Sequence, residues 1–245
     1  MKIKTSITKI QNDKEIIRGH ELENLIQEKS FVEVIYLLFK GNLPTEKETK
    51  MLNAMLVASI DHGPGVASAL NARISASAQN STHSALASGI LGFGPRHGIA
   101  GQGMMEFLYS HVDETDIAGL VSKLKELKVR VPGFGHKVFT DADPRAEALF
   151  KLAKNLEIFG KYSKFAHQFK NEINAQSSRP LPINIDGAMG AILCDMGFDA
   201  RLGQTFFLIG RTPGLLAHIY EEQTQDEGIR RLDESEIEFV NVTAD

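Results

Sequence analysis

Five short stretches of this chain set imidazole, carboxylate or guanidinium groups beside glycine and proline. They are Asp61-His62-Gly63-Pro64, Gly94-Pro95-Arg96-His97-Gly98, Pro132-Gly133-Phe134-Gly135-His136, Asn184-Ile185-Asp186-Gly187 and Ile209-Gly210-Arg211-Thr212-Pro213-Gly214. Those side chains serve proton transfer, hydrogen-bond donation and anion binding. Each stretch taken alone has a plainer reading: glycine beside histidine marks a helix end, and a lone histidine is more often a surface or core residue than a catalyst. The glycines of residues 92–103 do not make a phosphate-cradling loop, since no strand pattern precedes them and no Gly-Lys-Ser/Thr follows. His62, His83 and His97 show no compact ligand spacing and no cysteine pair assists them, so no metal site is expected.

The elements that must carry these groups read as helices. Ser30-x-x-Glu33 and Thr45-x-x-Glu48 are capping boxes, with Gly41 as the stop of the first helix and Met51, Leu52, Met55 and Leu56 as the apolar stripe of the second. Residues 65–91 are crowded with Ala and Ser, a composition that suits two buried helices in close approach. Further helical spacings run from Gly103 to Tyr109 and from Asp116 to Lys128. Asp143-Pro144 is a start signal for a long amphipathic stretch through Leu149, Leu152, Leu156 and Phe159. Gln176 to Pro182 is a loop, and Ile185–Met196 and Thr205–Glu222 are helical. One short strand is expected within residues 2–10, from the alternation of Ile3, Thr5 and Ile7. The expected fold class is all-α.

Composition narrows the function. With 245 residues, 42% hydrophobic and 24% charged, the chain has room for one good core or for two lobes. A net charge of −4 without a sustained basic patch argues against nucleic acid as a partner. No apolar run is long enough to span a bilayer and the N-terminus lacks a signal-peptide pattern, so neither membrane nor export is expected. The single Cys194, inside Ile192-Leu193-Cys194, excludes an internal disulfide and reads as a small buried hydrophobe. A cytoplasmic protein is the expectation.

In order, the five stretches read D-H-G-P, G-P-R-H-G, P-G-F-G-H-K-V-F-x-x-x-D-P-R-A, N-I-D-G and I-G-R-x-P-G. This series resembles the citrate synthase superfamily over residues 5 to 240, the G-F-G-H…D-P-R block being its most distinctive part. The resemblance implies an all-α homodimer or homotetramer with a large helical lobe (residues 1–97 and 191–245), a small lobe (98–190) and the active site between them. It also implies the catalytic roles. His97 matches the histidine that hydrogen-bonds the thioester carbonyl as it becomes an enolate, and Asp186 the carboxylate that moves the acetyl methyl proton. His136 matches the histidine on the carbonyl or hydroxyl oxygen of the oxaloacetate half, and would take the hydroxyl proton during cleavage. His62, Arg145 and Arg211 match residues that hold substrate carboxylates. A further arginine in Gly228-Ile229-Arg230-Arg231-Leu232, Arg231 in preference to Arg230, matches one contributed by the partner subunit. Val131, Pro132, Gly133, Phe134 and Gly135 resemble the family's adenine-recognising segment, with Lys137 and Arg179 as candidate phosphate partners.

The chemistry suits such a set. An enolate of a thioester needs an oxyanion donor placed in advance, and a neutral imidazole at a helix N-terminus, where His97 could stand, is tuned toward donation. Two buried carboxylates call for planar bidentate partners, which arginine supplies and lysine does not. No permanently bound cofactor is expected; the CoA thioester is the substrate.

Within the superfamily the chain is most similar to the short citryl-CoA lyase branch, which implies citryl-CoA, acetyl-CoA and oxaloacetate as ligands and a citryl-CoA synthetase as a candidate partner. Full synthases carry helical material before the first histidine. They also carry an Asn where this chain has Gly65-Val66, and G-G-A-N-E where it has Gly98-Ile99-Ala100-Gly101-Gln102. Thr140 stands where the family often has a basic residue. Citrate synthase and an inactive CoA-binding relative remain the alternatives.

Overall fold

The computed structural model describes residues 2–94, 97–98, 100–136 and 139–240. Helices dominate the described residues: α1 (Leu22–Glu28), α2 (Phe31–Lys40), α3 (Glu46–Ala58), α4 (Ala67–Ser77), α5 (Thr82–Leu91) and α6 (Ala100–His111) come first. They are followed by α7 (Ile117–Glu126), α8 (Pro144–Asn155), α9 (Lys161–Ala175), α10 (Ile185–Asp195) and α11 (Gly203–Gln225). The all-α class holds. No helix among the described residues is long and apolar enough to cross a membrane.

The local signals for the helix starts act as read. Both capping boxes are formed, and Gly41 closes α2 at φ +82°, where a side chain would be strained. Asp143 caps α8 with Pro144 in its first turn, and Asn184 caps α10 by accepting the Gly187 N–H at 3.0 Å.

Two expectations needed correction. The N-terminal strand is Thr8–Gln11 rather than a run over 2–10, and it is the first of three antiparallel strands, with Lys14–Ile17 and His20–Glu21. Asn12 and Asp13 make the intervening two-residue turn with φ +53° and +57°, which such side chains tolerate. The amphipathic stretch after Asp143 is also two helices. It breaks at 156–160 because Asp195, from the end of α10, accepts the Gly160, Tyr162 and Ser163 amides at 2.9, 2.9 and 3.1 Å. A cap supplied from so far along the chain leaves no local trace.

The chain divides into two compact units, 1–59 with 98–210 and 60–97 with 211–245, the last cut falling inside α11. In the first unit α10 is the central helix. Ile185 and Gly187 through Cys194 are all buried, and α10 packs on α6, α8 and α9. A helix apolar all round must be enclosed. That enclosure keeps residues 191–210 with 98–190, whereas the lobes implied by the resemblance part at 190/191; the two partitions share only the cut at 97/98. In the second unit α4 and α5 pair through Ala69, Ala72, Ala76 and Ala85, over Leu215 and Ile219 of α11. The outer sides of this pair still carry exposed Leu70, Ile74, Ile90 and Leu91. Cys194 is buried, and loss of hydration pushes its thiol up to about 12.

Candidate functional site

In the first unit, two of the five stretches clasp each other. The Asn184 N–H donates to Gly133 O at 3.0 Å, the Asn184 side-chain amide to Gly135 O at 2.9 Å, and the Gly135 N–H to Pro182 O at 2.7 Å. Gly133 and Gly187 touch so closely that a Cβ on Gly187 would lie 2.2 Å from Gly133 O. Gly133 itself sits at φ +89°. The glycines of P-G-F-G and N-I-D-G are therefore there for each other, and their contact brings the loop carrying His136 onto the first turn of α10, where Asp186 stands. A first-turn carboxylate sits at the positive end of the helix.

Asp143 completes this half. It is fully buried, and its carboxylate grips Arg145 with Oδ1 to Nε at 3.0 Å and Oδ2 to Nη2 at 2.8 Å. It also accepts the Arg145 N–H at 3.0 Å and the Ile185 N–H at 3.1 Å, tying the start of α8 to that of α10. Burial opposes its ionisation, but the hydrogen bonds and charge of Arg145 outweigh that and hold the carboxyl below its ordinary range. The sequence shows Asp143 only as a helix cap, although D-P-R also supplies the spacing for its grip on Arg145.

His136 is half-buried, and Arg145 Nη2 lies 3.4 Å from its Nε2. Burial, with the Arg145 charge, lowers its pKa against the opposing pull of Asp143, so the ring is neutral near pH 7. Its Nδ1 accepts the Phe139 N–H at 3.1 Å, while Arg145 Nη2, which can only donate, faces Nε2. A cavity of about 500 Å³ opens next to it, lined by Val131, Phe134, Gly135, His136, Lys125 and Arg130 among others. Val131, Phe134 and Gly135 thus form part of a cavity wall, whereas Pro132 is exposed at its turn and Gly133 is buried against Gly187. Arg179 lies exposed in the loop before α10. Lys137 is outside the described residues.

In the second unit, Gly94 and His97 bond to each other's backbone at 2.9 and 2.8 Å, an isolated bridge. Its histidine ring stacks on Phe93, and Nε2 lies 2.9 Å from Ser68 Oγ. Ser68 is fully buried in the first turn of α4, so the His97 ring meets the N-terminus of an earlier helix. The sequence does not single out this partner, since one serine among the many of residues 65–91 carries no distinguishing signal.

Asp61 anchors the D-H-G-P turn. Its Oδ2 accepts the Gly63 N–H at 2.9 Å and its Oδ1 pairs with His218 Nε2 at 3.0 Å. Burial raises its pKa, but the Gly63 and His62 amides and His218 together bring it below the ordinary value. His62 is exposed at this turn, and Arg211 is buried in α11. A Cβ on Gly214 would lie 2.2 Å from Ile60 O, so the last glycine of I-G-R-T-P-G is what lets the turn sit against α11. Arg231 is exposed in the segment after α11. Among the described residues no group of three or more His, Cys, Asp or Glu is arranged to hold a metal ion.

Comparison with known proteins agrees with these motifs. The family model described as "Citrate synthase, C-terminal domain" matches residues 1–54 and 46–232. Citrate synthase 2 of Bacillus subtilis is 30% identical over 193 residues, 78% of this chain and 51% of that protein; the chain spans about half the length of this relative. The structure of citryl-CoA lyase from Hydrogenobacter thermophilus is 42% identical with a TM-score of 0.93, over 99% of this chain and 96% of that one. ATP citrate lyase of Methanosaeta concilii, solved in complex with (3S)-citryl-CoA, has a TM-score of 0.87 over 99% of this chain and 42% of that one; at 23% identity the likeness is one of fold. With the family model covering nearly all of the sequence, and its glycines seen making the close approaches that space the motifs, the chain belongs to the citrate synthase family.

Proposed function

We propose that this chain is a citryl-CoA lyase, which cleaves citryl-CoA to acetyl-CoA and oxaloacetate. The observation that carries the reading is the likeness to a citryl-CoA lyase along the whole of both chains, at 42% identity. Cleavage removes the hydroxyl proton of the citryl group and breaks the adjacent carbon–carbon bond. Oxaloacetate leaves as a ketone, and the electron pair remains on the acetyl-CoA enolate, which is then protonated at carbon. We assign Asp186 as the acid that delivers this proton. His97 is assigned as the donor to the enolate oxygen, with the Ser68 hydroxyl donating to Nε2 so that Nδ1 carries the ring proton.

His136 is assigned to the oxygen that becomes the ketone. Its neutral ring beside the Arg145 guanidinium suits an oxygen that changes from hydroxyl to carbonyl. A neutral imidazole has one unprotonated nitrogen, which can take the hydroxyl proton as the carbon–carbon bond breaks. Arg145, Arg211, His62 and Arg231 are the proposed carboxylate partners. Val131 to Gly135, Lys137 and Arg179 are proposed for CoA, which acts as a substrate with no permanently bound cofactor. The exposed Leu70, Ile74, Ile90 and Leu91 support the proposal of a homodimer or homotetramer. A cytoplasmic location and a separate citryl-CoA synthetase as supplier of the substrate belong to the same reading.

The test is incubation with synthetic citryl-CoA, following acetyl-CoA, oxaloacetate, citrate and free CoA separately. Acetyl-CoA and oxaloacetate in equal amounts, lost in Asp186→Asn by about 10²–10⁴ in rate, are expected. The likeness to a citrate synthase at 30% identity gives the second reading its weight. Citrate and free CoA without acetyl-CoA would favour that reading instead.

A further inference from the structure

The second unit holds a charge network that the proposed chemistry does not use. Glu222 of α11 is almost fully buried between two arginines: its Oε1 accepts Arg230 Nε at 2.5 Å, and its Oε2 lies 2.8 Å from Arg73 Nε as an ion pair without hydrogen-bond geometry. Arg73, on α4, is itself buried and reaches Glu221 as well. Its Nη1 lies 3.4 Å from His218 Nδ1, while the opposite ring nitrogen of His218 meets Asp61 at 3.0 Å. These partners fit one state of the imidazole, neutral and with its proton on Nε2, directed at Asp61. Arg230 is further fixed by its backbone N–H to Ser77 Oγ at 3.0 Å and by Glu227 at 3.6 Å. A crevice of about 340 Å³ is lined by Pro64, Gly65, Leu70, Arg73, Glu221 and Arg230, so residues of the D-H-G-P turn and of the segment after α11 face the same space.

The ends of this network are informative. Asp61 precedes His62, and Arg230 precedes Arg231; His62 and Arg231 are both proposed to hold substrate carboxylates. A buried carboxylate between two guanidiniums has little freedom, because losing either partner would leave a buried charge uncompensated. Arg230 is thereby committed to structure, and Arg231 is the member of the pair available to a ligand. We propose that Arg73, through His218 and Asp61 on one side and Glu222 and Arg230 on the other, is the shared anchor that positions His62 and Arg231 for the substrate carboxylates. The inference rests on the functional reading above. Arg73, His218, Glu222 and Arg230 are positioning residues, acting through the neighbours they hold.

A double-mutant cycle on the full-length protein tests this. Arg230→Ala, Arg231→Ala and the pair are compared for the KM and kcat of citryl-CoA cleavage and, by calorimetry, for the Kd of oxaloacetate; His218→Gln, His62→Ala and their pair form a second cycle. Arg230→Ala should raise KM and Kd about tenfold with a smaller effect on kcat, and should add nothing once Arg231 is already Ala. His218→Gln should behave likewise on the His62→Ala background. A merely structural role would produce the same increment on both backgrounds, and that result, or unchanged KM and Kd in Arg230→Ala, overturns the proposal. Glu222→Gln, which keeps the volume of the side chain, guards against variants that fail to fold: it should weaken oxaloacetate binding in a protein that still melts cooperatively, and normal binding would overturn the proposal. A wild-type protein that binds oxaloacetate but does not cleave citryl-CoA would sink the functional reading alone, since the cycles would still be read from Kd. Wild-type protein that does neither would remove both.

Discussion

Replacing Asp143 by Asn removes the charge and one of the two acceptor oxygens at the junction of α8 and α10. Asn is as good a helix cap as Asp and keeps the shape, so the bond from the Arg145 N–H should survive. What goes is the charge-assisted two-point grip on the Arg145 side chain, made at 3.0 and 2.8 Å by a carboxylate with no exposed surface, together with the acceptor for the Ile185 N–H at 3.1 Å. Removing one partner of a buried pair destabilises by about 3–5 kcal/mol. Arg145 is 22% exposed, and solvent can recover part of its charge, so the lower end, about 3 kcal/mol, is the expected loss. The same change loosens Arg145 beside His136, and kcat/KM for citryl-CoA should fall by about two powers of ten if that energy is realised on binding.

The pH dependence has a definite sign. The folded-state pKa of Asp143 is depressed, so its contribution is complete above the unfolded value of about 3.9 and is lost as pH falls through the lower folded value. Wild type should therefore lose its advantage over Asp143→Asn progressively below about pH 4. Thermal melts of both proteins at one concentration, from pH 3 to 7, together with steady-state kinetics, make the measurement. A variant as stable and as active as wild type at pH 7 would refute the reasoning, because the buried ion pair would then hold nothing.

Ser68→Ala removes one neutral hydrogen bond from His97, worth about 1 kcal/mol, so kcat should drop about fivefold with little change in KM. An unchanged kcat would mean that Ser68 does not orient the ring. Cys194, buried and with its thiol pushed up to about 12, should resist a disulfide reagent at pH 8 in the native protein and react fully after denaturation. Rapid native labelling would contradict the enclosure of α10.

Much of this protein is written locally in its sequence. Ser30 with Glu33, Thr45 with Glu48, and Asp143 with Pro144 each start a helix, since a cap needs only residues three or fewer apart. The all-α class follows from such signals, and the ordered motifs carried the family. The sequence also shows that Gly133, Gly187 and Gly214 stand in motifs, without showing why. Only folding reveals that a Cβ on Gly187 would lie 2.2 Å from Gly133 O, and one on Gly214 2.2 Å from Ile60 O. Tertiary structure alone decided the partners of the chemical groups: Ser68 for His97, Asp143 for Arg145, and Glu222 for Arg73 and Arg230. It decided in the same way that Asp195 would cap α9 and split the helix expected after Asp143. The physical reason is common to all of these. Caps and periodicity are satisfied within a turn or two of backbone, whereas a buried charge or imidazole takes whichever partner the packing of distant segments delivers.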